Sequence, residues 1–181
     1  MSNEAPSPRY YTTEEYFGLP FNEQLTELED GILTMSPSPV PSHARIQSNI
    51  IVQLGNYLRH KNCELFSELD VKLFDDEDII YRPDIIVVCS PSKIGERCIE
   101  GAPDLVIEIG SPATLKHDLG KKRLNYERAG VREYWVIRNP YWVYTYILGA
   151  DGTYTETVYK DQPTIKLSIF DLTIDFGYLQ K

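Results

Sequence analysis

The chain has 181 residues, 42 % of them hydrophobic, which suits one domain with a real core. Its formal charge of −9 argues against a general nucleic-acid coat protein, a class that is usually basic. No apolar run reaches the length of a membrane span, so no membrane partner is expected, and the polar opening Met1-Ser2-Asn3-Glu4-Ala5-Pro6 does not read as a signal peptide. Cys63, Cys89 and Cys98 are odd in number and lack CxxC spacing. They are expected to be reduced thiols in a cytoplasmic protein, neither a disulfide frame nor a zinc site.

Thr12 and Glu15 form a capping-box pattern at the head of a short helix through Phe17. Asp30-Gly31 lies between Leu25–Glu29 and Ile32–Met35, a strong hairpin signal. Ser36–Pro41 is a stiff proline loop, after which Ser42 is expected to cap a helix running to about Lys61. The apolar stripe of that helix is Ile46, Ile50, Leu54, Tyr57 and Leu58. Cys63–Glu68 and Asp70–Phe74 read as strands. Asp75–Asp78 reads as a solvated acidic turn, because it lacks the spacing and glycine of a calcium loop.

One long strand is expected over Ile79–Val88, and another over Pro103–Ile109, ending at Gly110-Ser111-Pro112. A helix from about Lys116 to Ala129 stops at Gly130, and Arg132–Ile137 is the next apolar strand. The strand–helix–strand unit from 104 to 137 should bring its two strands together in parallel. Asn139-Pro140 breaks the last strand. Two more strands flank Asp151-Gly152, and short strands follow from Thr164 to Phe176. The tyrosines are scattered, and most are expected to pack in sheets.

Two of these apolar strands carry a carboxylate each, Asp84 and Glu108. A charge buried in a sheet costs several kcal/mol unless it is paired or binds a metal. Asp84 follows Pro83 near a strand end, whereas Glu108 sits between Ile107 and Ile109 in mid-strand. Asp104 reads as a strand-entry residue, roughly 13 Å from Glu108 along the strand. In the following helix Leu115, Leu119, Lys122 and Tyr126 share one face, so Lys122 points to the sheet. Lys121 falls with Asn125 and Arg128 on the wet face. Two carboxylates on neighbouring strands with a lysine nearby can hold a divalent cation and activate water.

These residues carry a resemblance. Arg82-Pro83-Asp84, the run Gly101–Glu108, Asp118–Lys122 and Ala129–Trp135 resemble the Uma-type family of endonucleases in the PD-(D/E)XK superfamily. The stretches Glu27–Gly31, Met35-Ser36-Pro37, the His43 helix entry and Ser111-Pro112 extend the match over nearly the whole chain. The superfamily's usual lysine would stand at position 110, where this chain has Gly110, and Lys122 takes its place. Ile32 stands where the family's hairpin usually has a glutamate.

The resemblance implies an α/β (α+β) restriction-endonuclease-like fold: a mixed sheet flanked by helices, a core at about 42–138, and added hairpins at both ends. It implies that Asp84 and Glu108 hold Mg²⁺ or Mn²⁺, with the Ile109 carbonyl as a third ligand. Lys122 would act on the attacking water or the phosphate, and Glu27 would be an outer acid or further ligand. DNA is the implied partner. His43 would touch phosphate or water, or else cap its helix. The segment Lys116–Arg132 holds six basic side chains against two acids, so Lys121 and Arg123 are candidate phosphate contacts. The alternatives are a non-catalytic nuclease-like domain that binds protein or nucleic acid or forms a homodimer, and a hydrolase of small phosphoesters.

Overall fold

A computed structural model describes residues 9–20, 26–35 and 38–180. The readings that involve Met1–Pro6, Leu25 and Ser36-Pro37 lie outside those residues. Helix α1 (Thr13–Gly18) begins with the expected box: Thr12 accepts from the Glu15 amide, and Glu15 accepts from the Thr12 amide. Strands β1 (Thr26–Glu29) and β2 (Ile32–Met35) form the expected hairpin. Its two turn residues, Asp30 and Gly31, have φ of 50° and 77°. A two-residue turn needs that left-handed pair, and Asp-Gly supplies it at little steric cost.

Helix α2 (Pro41–Leu58) starts two residues earlier than expected. Val40 is its N-cap and Pro41 its first residue, with no side-chain cap. Proline lacks an N–H and has a preset φ, so it opens the helix and Ser42 falls inside it. Ile46, Ile50, Leu54 and Leu58 are buried, as the spacing requires.

The chain continues through β3 (Glu64–Phe66), β4 (Val71–Lys72), β5 (Ile80–Tyr81), β6 (Ile85–Val88), β7 (Ile99–Glu100) and β8 (Leu105–Ile109). A helical segment follows, made of α3 (Leu115–His117), a π-helical turn (Asp118–Lys122) and α4 (Arg123–Ala129). Then come β9 (Glu133–Asn139), β10 (Trp142–Leu148), β11 (Tyr154–Lys160), β12 (Thr164–Lys166) and β13 (Thr173–Asp175). The larger sheet has six strands in the order β11-β10-β9-β8-β6-β3, and a smaller one has five in the order β2-β1-β5-β4-β7. β8 and β9 are parallel, as the helical connection between them requires.

The single strand expected over 79–88 is two strands in two sheets. β5 pairs with β1 and β4, whereas β6 pairs with β3 and β8. Pro83 cannot donate to a ladder, so the chain leaves one sheet and enters the other across Arg82-Pro83-Asp84. The cysteine reading is also corrected: Cys63 and Cys89 form a disulfide, and Cys98 is free and buried. Glu64 lies opposite Val88 in the β3–β6 register, which makes Cys63 and Cys89 the next facing pair.

One face of the large sheet presents Ile85, Ile107, Trp135 and Ile137 to α2 and the β12–β13 hairpin. The other presents Ile86, Val106, Tyr134 and Val136 to α4 and the smaller sheet. Side-chain alternation along each strand produces both cores from the same residues' neighbours. Ile50 is fully buried, so Ile50→Ala should cost about 2–5 kcal/mol of stability. Val52 on the same helix is 61 % exposed, and Val52→Ala should change stability by less than about 0.5 kcal/mol. Urea unfolding of the two variants checks the assignment of the helix face.

Candidate functional site

The β6–β8 register pairs Ile85 with Ile107 and Ile86 with Val106. Continued by one residue, it sets Asp84 opposite Glu108. Facing residues of an antiparallel pair bring their Cβ atoms to about 5 Å. The Asp84 carboxylate turns into the ladder, where Oδ2 accepts from the Ile109 amide at 2.6 Å. The Pro83 carbonyl, which would otherwise be the next acceptor there, takes the Glu68 amide at 3.1 Å. Asp84 Oδ1 lies 3.1 Å from His43 Nε2. Gln47, one turn further along α2, donates to the Asp84 carbonyl at 3.1 Å. His43 therefore holds Asp84 and does not cap its helix. The Asp84 hydrogen bond raises the His43 pKa above its ordinary value, against the effect of burial. His43 Nδ1 is buried with no hydrogen-bond partner among the described residues.

Glu108 lies on the sheet face of Val106 and Val136, the face that Asp84 shares by register, and is 5 % exposed. Its Oε1 accepts from Lys122 Nζ at 2.9 Å and from the Tyr126 hydroxyl at 3.3 Å. Lys122 also donates to Glu27 Oε1 at 2.7 Å, and Asp118 Oδ1 lies 3.9 Å away. One buried ammonium thus serves carboxylates from β1, β8 and its own helical segment. Burial opposes the charge on Lys122, but Glu108, Glu27 and Asp118 outweigh it and raise its pKa well above the usual value. Burial raises the Glu108 pKa, as do its acidic neighbours Asp118, Asp84 and Glu27, while Lys122 lowers it.

The π turn places Lys122. It widens the helix over Asp118–Lys122, and the Tyr134 hydroxyl donates to the Asp118 carbonyl at its head, at 3.0 Å. Such single π turns are frequent at functional sites. Space for a side chain at Gly110 is tight. A Cβ there would lie 3.0 Å from Leu115 Cδ1 and 3.4 Å from Asp118 Oδ2. The helix that brings Lys122 therefore fills the space in which a side chain at 110 would begin.

A supporting network surrounds this centre. Glu27 Oε1 also accepts from the Arg82 amide at 2.9 Å, and Arg82 Nε donates to Asp70 at 2.6 Å. Glu29 is bonded to the Tyr81 hydroxyl, to His117 at 2.9 Å and to Lys121 at 3.0 Å. Asn125 is buried and donates to the Tyr81 hydroxyl at 2.6 Å, which corrects its placement on the wet face. The rings of Tyr81, Tyr126, Tyr134 and Tyr146 pack in a row, with Lys122 Nζ 5.2 Å from the Tyr81 ring centroid. They are sheet and core residues, as expected, and Tyr126 and Tyr134 also donate to the site.

A cavity of about 330 Å³ opens over these groups, lined by Glu27, His43, Asp84, Glu108, Ile109, Asp118 and Lys122 among others. The structure thus brings together five of the seven candidate residues: Asp84, Glu108, Lys122, Glu27 and His43. Lys121 and Arg123 do not line the cavity. Lys121 pairs with Glu29 and Asp30, and Arg123 lies 3.6 Å from Glu127. Asp104 immediately precedes β8, where it accepts from the Cys89 amide and pairs with Arg132. Sequence pattern alone assigns no role to Asp118, Gln47 or Arg138, which lie in or beside the site. Asp118 stands four residues before Lys122 and Gln47 four after His43, spacings that could have pointed to both.

Residues 13–176 match the sequence profile of Uma2, described as "Putative restriction endonuclease". The chain belongs to this family. A solved structure titled as a putative nuclease belonging to DUF820 from Anabaena variabilis matches with a TM-score of 0.73 and 24 % identity. The match covers 92 % of this chain and 97 % of that one, a likeness of fold. The Uma2 chain thus has the restriction-endonuclease-like α/β fold, a mixed sheet flanked by helices. No curated protein matches it.

The donor set fits a hard divalent cation. Four carboxylates (Glu27, Asp84, Glu108 and Asp118) line the cavity around a single buried lysine. Among the described residues no group of three or more His, Cys, Asp or Glu side chains is placed so that it could hold a metal ion by itself. Mg²⁺ seldom needs one, since it is commonly held by one or two carboxylates with water and substrate phosphate completing its shell.

Two stability outcomes test this geometry. Lys122→Met leaves buried carboxylates unpaired and should cost about 3–5 kcal/mol, whereas Lys121→Met on the exposed pair should cost less than about 1 kcal/mol. Burial alone would raise the Glu29 carboxyl, but hydrogen bonds from His117, Tyr81 and Lys121 lower it to about 2. A carboxyl lowered on folding contributes stability above its unfolded value that is lost as pH falls toward the folded one. Between about pH 4.5 and 2 the parent should lose stability that Glu29→Gln lacks at every pH. Thermal unfolding across that range measures both.

Proposed function

We propose that this Uma2 protein is a metal-dependent endonuclease that hydrolyses DNA phosphodiester bonds as a single catalytic domain. The reading is carried by the β6–β8 register, which continued by one residue sets Asp84 opposite Glu108, with Lys122 buried against Glu108. Asp84 and Glu108 would hold Mg²⁺ or Mn²⁺, aided by the Ile109 carbonyl. An ion bound there supplies a water of lowered pKa and offsets charge developing on the phosphate. Lys122 orients the attacking water or steadies that charge, and Glu27 fixes the lysine from the opposite side. His43 holds the Asp84 carboxylate in place from α2. A cytoplasmic setting is part of the same proposal and draws no support from the cysteines, two of which are paired.

One observation favours the rival, a non-catalytic domain that binds protein or nucleic acid. Glu108 already takes two hydrogen bonds and Asp84 is engaged by His43 and Ile109, so the carboxylates have partners without a metal.

Calorimetric titration with Mn²⁺ and nicking of supercoiled plasmid separate the two. The parent should bind the ion and cut the plasmid. Asp84→Asn and Glu108→Gln should lose both, cleavage falling by about 10²-fold or more. Asp104→Asn should keep both. A parent that binds DNA yet never cuts it with Mg²⁺ or Mn²⁺ would establish the rival.

A further inference from the structure

Four side chains that line the cavity can carry positive charge: His43, Arg82, Lys122 and Arg138. His43 is engaged by Asp84, Arg82 by Asp70, and Lys122 by Glu108 and Glu27. Arg138 alone of the four has no carboxylate partner among the described residues. It is exposed near the end of β9, beside the mouth of the cavity. The β8–β9 register pairs Glu108 with Val136, so Arg138 stands alongside Gly110, two residues beyond the catalytic carboxylate. By strand alternation it shares the sheet face of Glu108.

What holds Arg138 is a ring. Its guanidinium carbon lies 4.6 Å from the ring centroid of Trp142, on the neighbouring β10. Lys160 Nζ, on β11, lies 4.2 Å from the same ring, and Trp142 is directly opposite Lys160 in the β10–β11 register. The ring stacks on Tyr144, 6.1 Å away at 24°. Its Nε1 has no hydrogen-bond partner among the described residues, so the indole is held by its faces. Glu156, on the same face of β11, is hydrogen-bonded to Tyr146 and does not neutralise Lys160. One half-buried ring therefore fixes two unpaired cations from two different strands, despite their mutual repulsion. In a chain of net charge −9, that pair is complementary to an anion and to few other surfaces of the molecule.

The helical segment of 115–129 differs. Lys121, Arg123 and Arg128 each meet a carboxylate: Glu29 and Asp30, Glu127, and Glu77. Its basic run is largely neutralised, by Glu127 of the segment itself and by Glu29, Asp30 and Glu77 from elsewhere in the fold.

We propose that Arg138 and Lys160, mounted on Trp142, dock the phosphate backbone of duplex DNA beside the scissile phosphodiester. The inference rests on the nuclease reading of the cavity and deepens it by assigning where the strand leaves the site. Arg138 touches the backbone, Lys160 takes a neighbouring phosphate, and Trp142 is a positioning residue that acts through both.

The test is binding of a fluorescent duplex oligonucleotide to the full chain over a salt series, with Ca²⁺ in place of Mg²⁺. Each lost phosphate contact should flatten the slope of log affinity against log salt by about 0.9. Arg138→Gln and Lys160→Gln should each show that loss, and the double variant about twice as much. Trp142→Leu should follow the double variant, while Trp142→Phe retains a ring and recovers most of the slope. Arg132→Gln, an exposed arginine already paired with Asp104, should leave the slope unchanged. The proposal is overturned if Arg138→Gln and Lys160→Gln keep the parent's affinity and slope, or if the parent binds no duplex. Plasmid nicking with Mg²⁺ is read separately. Flattened slopes without nicking would leave the docking surface standing and remove the nuclease reading, and nicking with unchanged slopes would do the reverse.

Discussion

The ammonium of Lys122 is the point on which the fold and the site both turn. It is buried, and it bonds at once to Glu27 of the small sheet and Glu108 of the large one. A buried charge is tolerable only when its partners are close and well oriented. Here those partners come from two sheets and from the lysine's own helical segment, so the relative placement of all three is tied to one side chain. The arrangement remains electrically incomplete. Glu27, Glu108 and Asp118 outnumber the lysine, and burial together with mutual repulsion raises the Glu108 pKa. The proposed divalent cation would relieve that repulsion and favour the ionised form of Glu108.

The surrounding structure can be read as what that ammonium needs. The π turn over Asp118–Lys122 swings the lysine toward the sheet, with Tyr134 donating to the carbonyl at its head. Gly110 leaves room for Leu115 and Asp118. Pro83 ends the β5 ladder and releases Asp84 to cap the Ile109 amide, which brings the second carboxylate opposite Glu108. Each of these is a local departure from regular structure, and each lies within a few residues of the carboxylates or the lysine.

Much of this was legible in the sequence because it follows from period and register. The stripe on α2, the Asp30-Gly31 turn and the Thr12–Glu15 box are local, and the structure bears them out. The choice of Lys122 over Lys121 followed from helical spacing. Asn125 did not, because it lies three residues from one lysine and four from the other, and the π turn shifts which of them it accompanies. The split of 79–88 was hidden by uniform hydrophobicity, since both halves are buried in different sheets. Its one signal was Pro83. The disulfide depends on which strands pair, a tertiary fact that cysteine spacing does not carry. Charge counting along 116–132 saw six cations but not the carboxylates that other elements bring to them. It also passed over Arg138, whose significance comes only from what it lacks and from the ring it rests on.

The central claim is that Asp84 and Glu108 form one cation site beside Lys122. A crystal soaked in Mn²⁺, with anomalous scattering recorded at the manganese edge, tests it most directly. The account predicts a single strong peak within coordination distance of both carboxylates and of the Ile109 carbonyl. Saturating Mn²⁺ that leaves the cavity without a peak, or that orders only on the acidic turn at Asp75–Asp78, would contradict it.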